Sequence, residues 1–228
     1  MYSHDTFGLG HLRRCRTIAH AIVEQFKGVS VLIISGSQIA GAFDFRARVD
    51  FVKIPSVIKL YNGEYDSIGE YIDIDDILEM RKLIIQRTAE VFQPDIFIAD
   101  KEPLGLRGEL EPTLSMFKEM NTKTVIGLRD VMDSPKLLTA EWAKSDMISK
   151  IDQYYDCVWA YGPDDFWNPL KGFDLPETLS DKLTYTGFIH RELPSLDTSE
   201  SHNLPDKYIL VTGGGGGDGG TLMEQILA

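Results

Sequence analysis

A histidine in a glycine-rich turn is the residue of this chain best placed to do chemistry. The turn reads Gly8-Leu9-Gly10-His11 and leads into an apolar pattern with helical spacing. The positive end of a helix dipole favours a neutral imidazole, which can take a proton from a hydroxyl or from water. We therefore predict that His11 is a catalytic base. The alternative is that His11 only caps the helix or bonds a loop carbonyl.

Two glycine turns, one at each end of the chain, are predicted to bind phosphate. Turns without side chains let backbone N–H groups approach an anion closely. Gly8 and Gly10 are therefore predicted to contact substrate. The second run follows the apolar residues 208–211, and it is predicted to hold a diphosphate, with a flexible linker as the alternative. Its members are Gly213, Gly214, Gly215, Gly216 and Gly217.

The first turn departs from the dinucleotide-binding pattern. Arg13 stands where the third glycine of GxGxxG would be, and the next apolar strand runs into Ser35-Gly36-Ser37 rather than an acidic residue. An acidic residue there would bond the ribose of NAD. The sequence therefore disfavours NAD.

Three arginines occupy the first turns of the same predicted helix: Arg13, Arg14 and Arg16. Cations there oppose the helix dipole, and a bound phosphate or carboxylate would offset that cost. Arg13 is the candidate for substrate binding. A solvated helix face is the alternative for two of the three.

Charged residues also follow two predicted parallel strands, whose carboxyl ends open onto a ligand crevice. Asp100 is predicted to orient His11 or to act as a second acid–base group, and Lys101 to meet an anionic acceptor. The alternative is that they only begin a loop. Arg129 is a further substrate-binding candidate, unless it simply pairs with Asp130.

No metal site is predicted. Asp73-Ile74-Asp75 matches a metal-binding DxD pattern, but it directly precedes a helical pattern, so helix capping is the better interpretation. Cys15 and Cys157 lack the spacing of metal ligands and are predicted to be reduced thiols.

Apolar strands alternate with amphipathic helices, which is typical of a parallel sheet covered by helices on both faces. Residues 56–72 are predicted as an acidic loop. We expect an α/β, Rossmann-like domain over residues 1–190, a linker over 191–206 and the beginning of a second such domain over 207–228, so that the chain would be a truncated protein. The predicted helices cover residues 12–26, 76–92, 108–120 and 136–150, and the predicted strands cover 29–34, 49–54, 96–99, 124–128, 157–161 and 183–186.

The first glycine loop with His11 resembles that of GT-B glycosyltransferases. It is most similar to predicted bacterial enzymes related to the N-acetylglucosaminyltransferase of peptidoglycan synthesis, and also to nucleotide-sugar hydrolases of pseudaminic acid synthesis. The resemblance continues at residues 100–105, 127–130, 185–188 and 211–216. It implies that His11 takes part in catalysis, that the second glycine turn binds a nucleotide-sugar donor, and that no metal or other cofactor is needed.

The expected function is therefore sugar transfer from a nucleotide diphosphate sugar, with a UDP-sugar as the leading candidate, to the hydroxyl of an unknown acceptor. A hydrolase that activates water with His11, and a non-catalytic binding module, are the alternatives. The net charge of −12 disfavours nucleic acid as a partner. No apolar run suggests a membrane span. A cytoplasmic location is expected, with peripheral attachment to the inner membrane left open.

Overall fold

A computed structural model describes residues 1–4, 9–60, 65–68, 71–129, 131–132, 134–190, 207–212 and 220–227. The strands are β1 (Tyr2–Ser3), β2 (Val31–Ser35), β3 (Val49–Lys53), β4 (Val57–Lys59), β5 (Tyr65–Ser67), β6 (Ile96–Asp100), β7 (Lys123–Arg129), β8 (Cys157–Tyr161) and β9 (Leu183–Tyr185). The helices are α1 (Gly10–Gln25), α2 (Ile74–Phe92), α3 (Glu111–Met120), α4 (Pro135–Lys144), α5 (Met147–Tyr154), α6 (Glu177–Asp181) and α7 (Gly220–Leu227), with 3-10 turns at Ala40–Ala42 and Leu106–Gly108.

The main sheet is parallel, and its strand order is β3-β2-β1-β6-β7-β8-β9. The strand order reverses direction between β1 and β6, and such a switch point leaves a crevice at the carboxyl ends of the strands. Ser3 pairs with Ser35 on one side and with Asp100 on the other. The predicted α/β, Rossmann-like fold class is confirmed.

The two faces of the sheet carry separate apolar cores. On one face, α1 packs its buried side chains, including Leu12 and Cys15, against Ile33 of β2. On the other face, Tyr2 joins a larger core with residues of α2 and α3. Because side chains alternate along a strand, β1 sends Tyr2 and Ser3 to opposite faces. This alternation places polar groups on both sides of the switch point.

Several predicted elements differ from the observed ones. Residues 56–72 were expected to form a loop, but β4 and β5 pair there as an antiparallel hairpin, too short to show a sequence period. The helix expected over 136–150 is two helices, because Asp146 adopts a left-handed conformation with φ of 49°. The helix expected over 108–120 begins at Glu111, after the 3-10 turn.

At the carboxyl end, the strand expected over residues 208–211 is not formed. Residues 207–212 belong to no helix or strand, and Ile209 is 91% exposed. Strand formation needs a neighbouring strand to pair with, and sequence pattern alone does not supply one. The predicted linker over 191–206 lies outside the described residues.

Candidate functional site

The carboxylate of Asp100 lies at the switch point and organises the candidate site. Asp100 is the last residue of β6 and is 1% exposed. His11, the second residue of α1, places Nδ1 2.6 Å from Oδ2 of Asp100. The structure thus brings together the two residues that the sequence nominated for catalysis, across 89 positions of the chain.

Arg14 also binds this carboxylate. Its Nε donates to Oδ1 and its NH2 group to Oδ2, both at 2.7 Å, in the bidentate geometry that an arginine fork favours. Arg14 lies one helical turn after His11, so α1 presents both side chains to Asp100. Arg13, the arginine chosen from the sequence, is exposed instead. The signal that could have favoured Arg14 is its three-residue spacing from His11.

These contacts fix the tautomer of His11. An ionised Asp100 only accepts hydrogen bonds, so the proton of a neutral imidazole must lie on Nδ1 and point at Oδ2. The NH2 group of Arg14 also lies 3.2 Å from Nδ1, but it cannot donate a hydrogen bond there, because a protonated Nδ1 has no free lone pair. The lone pair is therefore on Nε2. The His11 side chain is 14% exposed, so solvent can reach this imidazole.

Asp100 stays ionised in this setting. Burial by itself raises the pKa of Asp100, but the hydrogen bonds from His11 and Arg14 and the charge of Arg14 outweigh it and hold the pKa below its ordinary value. The carboxylate therefore remains a stable acceptor for Nδ1–H of His11.

Two buried hydroxyls lie beside Asp100 without hydrogen-bond partners among the described residues. One is Ser3 Oγ, on the strand neighbour of Asp100; the other is Tyr161 OH. Tyr161 lies over Gly127, the neighbour of Asp100 on β7, where any Cβ would overlap the phenol. Arg14 stacks over the Tyr161 ring, 5.4 Å from its centroid. Gly127 is thus the residue that lets Tyr161 support Arg14.

A second histidine, His4, touches the site from the other side of β1. Its ring meets that of His11 edge to face, with centroids 5.9 Å apart. Burial lowers the pKa of His4 to about 4, and the nearby charges of Lys101 and Arg81 add to this against the opposing effect of Glu102. His4 is therefore neutral at neutral pH.

His4 leads to a polar cluster that sequence reasoning missed. Tyr2 OH lies 3.4 Å from His4 Nδ1 and donates to Glu109 Oε1 at 2.5 Å. Arg81 holds the same carboxylate through Nε and NH2, both at 2.7 Å. The available signal was the position of Arg81 within an apolar stripe, four residues after Ile77. A charge there must find a buried partner.

The other predicted site residues stand as follows. Lys101 directly follows Asp100 in a left-handed conformation and forms an ion pair with Glu102 at 3.1 Å. Arg129 ends β7 and is exposed. A Cβ added to Gly10 would meet open space, so a ligand could approach its backbone. Gly8 and the run of Gly213, Gly214, Gly215, Gly216 and Gly217 lie outside the described residues.

Asp73 caps α2 by accepting a hydrogen bond from the backbone N–H of Asp75 at 2.8 Å, as the capping interpretation predicted. Within the described part of the chain, no cluster of three or more His, Cys, Asp or Glu residues could hold a metal ion. In that same part, none of the helices has the length and apolar character needed to cross a membrane.

Comparison with known proteins adds no relative to this picture: no protein-family model matches the chain, and neither a curated protein nor a solved structure matches it.

Proposed function

We propose that this chain belongs to a metal-independent glycosyltransferase of the GT-B type, which moves a sugar from a nucleotide diphosphate sugar to an acceptor hydroxyl. The observation that carries the proposal is the contact between His11 Nδ1 and buried Asp100, with the lone pair left on Nε2. A base of this kind removes the proton of the attacking hydroxyl as the bond to the sugar forms.

The charges of the cluster suit an anionic leaving group. With His11 neutral, Asp100 and Arg14 balance each other. When Nε2 takes the proton from the hydroxyl, the cluster gains one positive charge while negative charge develops on the departing diphosphate. Favourable electrostatics in the transition state, rather than in the ground state, is what lowers a barrier. The open space above Gly10 leaves room for the diphosphate near the start of α1.

A hydrolase is the second candidate, because solvent reaches the same imidazole. Water in place of the acceptor hydroxyl would give up its proton to Nε2 in the same way, and free sugar would be the product. The geometry of His11 and Asp100 serves either nucleophile, so the presence or absence of a bound acceptor decides between them.

The deciding experiment incubates the chain with UDP-, GDP-, dTDP- and CMP-sugars in water and follows them by ¹H and ³¹P NMR. A donor that binds but stays intact supports the transferase and identifies the donor for an acceptor screen. Free sugar and nucleotide, lost in His11→Ala, would assign the hydrolase. The control is His20→Ala, since His20 lies on the same helix and accepts from the backbone N–H of Arg46 instead. Donor turnover that His11→Ala retains would contradict the proposal.

A further inference from the structure

A cavity of about 310 Å³ opens beside the switch point, on the side of the sheet that carries α4. Its wall includes His4, Lys101, Glu102, Arg107, Glu141 and Trp142. The volume is at the small end of ligand pockets, which suits a single ring rather than a nucleotide or a lipid chain. His4 connects this cavity to the candidate site, because its ring also contacts His11.

One wall of the cavity is held in an uncommon backbone conformation. Lys101, Gly105 and Arg107 have φ values of 68°, 68° and 47°, in the left-handed region that non-glycine residues rarely adopt. A Cβ at Gly105 would press on Leu110, Glu109 and the Tyr2 hydroxyl.

Buried contacts hold this strained segment in place. The carbonyl of Pro103 accepts from the buried Tyr155 hydroxyl, and the carbonyl of Leu104 accepts from the N–H of Leu110 at 2.9 Å. Leu104 and Leu106 are themselves buried. Strain that the surroundings fix in this way is typical of preorganised binding loops. The backbone of Lys101 and Arg107 is therefore held in a set conformation.

The charges of the wall balance. Lys101 is paired with Glu102 at 3.1 Å, and Arg107 lies 3.6 Å from Asp75, outside the cavity lining. Glu141 supplies a second carboxylate of the lining. A hydroxyl both donates and accepts, so carboxylates and cations side by side suit a ligand with many hydroxyls, whereas an anion would meet as much repulsion as attraction.

The remaining wall is apolar and partly aromatic. Leu138 and Trp142 come from α4, Tyr65 from the β4–β5 hairpin, Leu106 from the 3-10 turn and Met132 from a loop. Such a surface covers the C–H face of a sugar ring, while polar groups at the rim fix its orientation. His4 adds an acceptor at the inner end: Tyr2 O–H donates to Glu109, so Nδ1 of His4 carries the proton toward Tyr2 and Nε2 keeps the lone pair.

We propose that this cavity binds an uncharged, polyhydroxylated ring of monosaccharide size, and that this ring carries the acceptor hydroxyl. The first part stands on the cavity itself; the second rests on the proposed function. The ring lies between the 101–107 segment and α4, with one hydroxyl bonded to Nε2 of His4. The edge of the ring bonded to His4 is the edge closest to His11, because the His11 ring contacts that of His4.

The test is a ¹H–¹⁵N NMR titration of the whole chain, without any nucleotide sugar. The probes are methyl β-D-glucopyranoside, methyl N-acetyl-β-D-glucosaminide, glucuronate and inorganic phosphate. We expect saturable shifts of the Gly105 amide and the Trp142 indole N–H with at least one neutral glycoside. Arg107→Ala and Glu141→Ala should each weaken that binding about fivefold, as expected for the loss of one typical hydrogen bond. Lys144→Ala, an exposed change on α4 outside the cavity, should leave it unchanged.

Three outcomes would overturn the proposal: no saturable binding of either glycoside, binding whose shifts fall away from Gly105 and Trp142, or tighter binding of phosphate or glucuronate at those residues. Because no donor is present, these outcomes do not depend on sugar transfer. His11→Ala should keep saturable glycoside binding at Gly105 and Trp142 and lose turnover. Binding with no turnover would therefore leave the cavity proposal in place and count against the proposed function alone.

Discussion

Two carboxylates on opposite faces of the same sheet are held in nearly the same way, and yet only one of them is bonded to a side chain that solvent can reach. Asp100 and Glu109 each accept two bonds of 2.7 Å from one arginine, Arg14 and Arg81 respectively. Each also has a third side-chain bond, which comes from the imidazole of His11 for Asp100 and from the phenol of Tyr2 for Glu109.

The two clusters differ in the residue that donates the third bond and in the exposure of that residue to solvent. Tyr2 is fully buried and donates its one hydroxyl proton to Glu109, so the phenol offers no reactive group to solvent. His11 has a second ring nitrogen, and its side chain is 14% exposed. A buried arginine–carboxylate pair therefore holds the side chain bonded to it in a fixed position. Whether the pair is only structural or orients a general base depends on what that side chain is. The comparison gives four predictions.

The largest effect is expected from breaking the buried pair. Arg81→Met leaves Glu109 without its cation at a position that is 3% exposed, and should lower the free energy of unfolding by about 3–5 kcal/mol. Urea denaturation followed by circular dichroism measures it. Adding Glu109→Gln to Arg81→Met should restore part of the loss. A loss below about 1 kcal/mol in the single variant would show that the pair is not structural.

The second-largest effect is expected at the more exposed pair, Asp100 and Arg14. Asp100→Asn removes the carboxylate that holds Nδ1–H of His11, so turnover of the nucleotide sugar should fall about 100-fold or more, which is about 2.7 kcal/mol in the barrier. Its stability loss should be smaller than that of Arg81→Met, since the Arg14 side chain is 16% exposed and can turn to water. Steady-state kinetics measures the change in kcat.

The control for this variant is Asp152→Asn, whose partners are Lys182 and Thr178. It should keep full turnover. Equal losses in both variants would mean that Asp100 acts on folding and not on His11.

His4 lies between the two clusters and predicts a dependence of stability on pH. The folded chain keeps His4 neutral down to a pKa of about 4, whereas an unfolded histidine binds a proton near 6.5. The unfolded state therefore holds more protons in this window, and stability falls as pH falls through it, by about 2 kcal/mol from pH 7 to pH 5.

Urea midpoints measured across that range test the His4 prediction. His4→Asn should reduce the loss of stability as the pH falls, because the amide keeps a donor toward Tyr2 but does not titrate. His20→Asn, a change at a more exposed histidine, should retain most of it. Parallel profiles for the parent chain and His4→Asn would assign the acid sensitivity to other groups.

The smallest effect distinguishes the two arginines. Arg14→Lys keeps the charge but loses the fork and the contact over Tyr161, and should cost about 1 kcal/mol of unfolding free energy, because water can replace the lost bond. Arg81→Lys should cost clearly more, since Arg81 is 1% exposed. Chemical denaturation of the two variants side by side measures the difference. A larger loss of unfolding free energy in Arg14→Lys than in Arg81→Lys would contradict the view that Arg81 is the structural arginine of the two.

Patterns that depend on near neighbours in the chain were readable from the sequence. The apolar runs of β2, β6 and β7 and the amphipathic spacing of α1 each lie in one short window, and together they predicted a parallel sheet with helices. The rule that the carboxyl ends of parallel strands share one edge also brought Asp100 to the crevice. The catalytic roles of His11 and Asp100 stay predictions.

The features that the sequence did not reveal depend on distant partners. The pairing of Arg81 with Glu109, 28 positions apart, follows from how α2 packs on the 3-10 turn before α3. Choosing Arg14 over Arg13 requires the rotation of α1 about its axis, which is set by the core beneath Leu12 and Cys15. The β4–β5 hairpin has three residues in each strand, too few for an alternating pattern to be distinguished from a loop.

The two-residue strand β1 also makes the polar clusters depend on how this strand is aligned with β2 and β6. A shift of one residue against β2 and β6 would turn Ser3 toward the core and Tyr2 toward the face that carries Asp100, which would break the bond between Tyr2 and Glu109. The amide of Ile34 donates to the carbonyl of Met1 at 2.8 Å, so it is a natural reporter of this alignment. Hydrogen exchange at that single amide would report how often β1 leaves this alignment with β2.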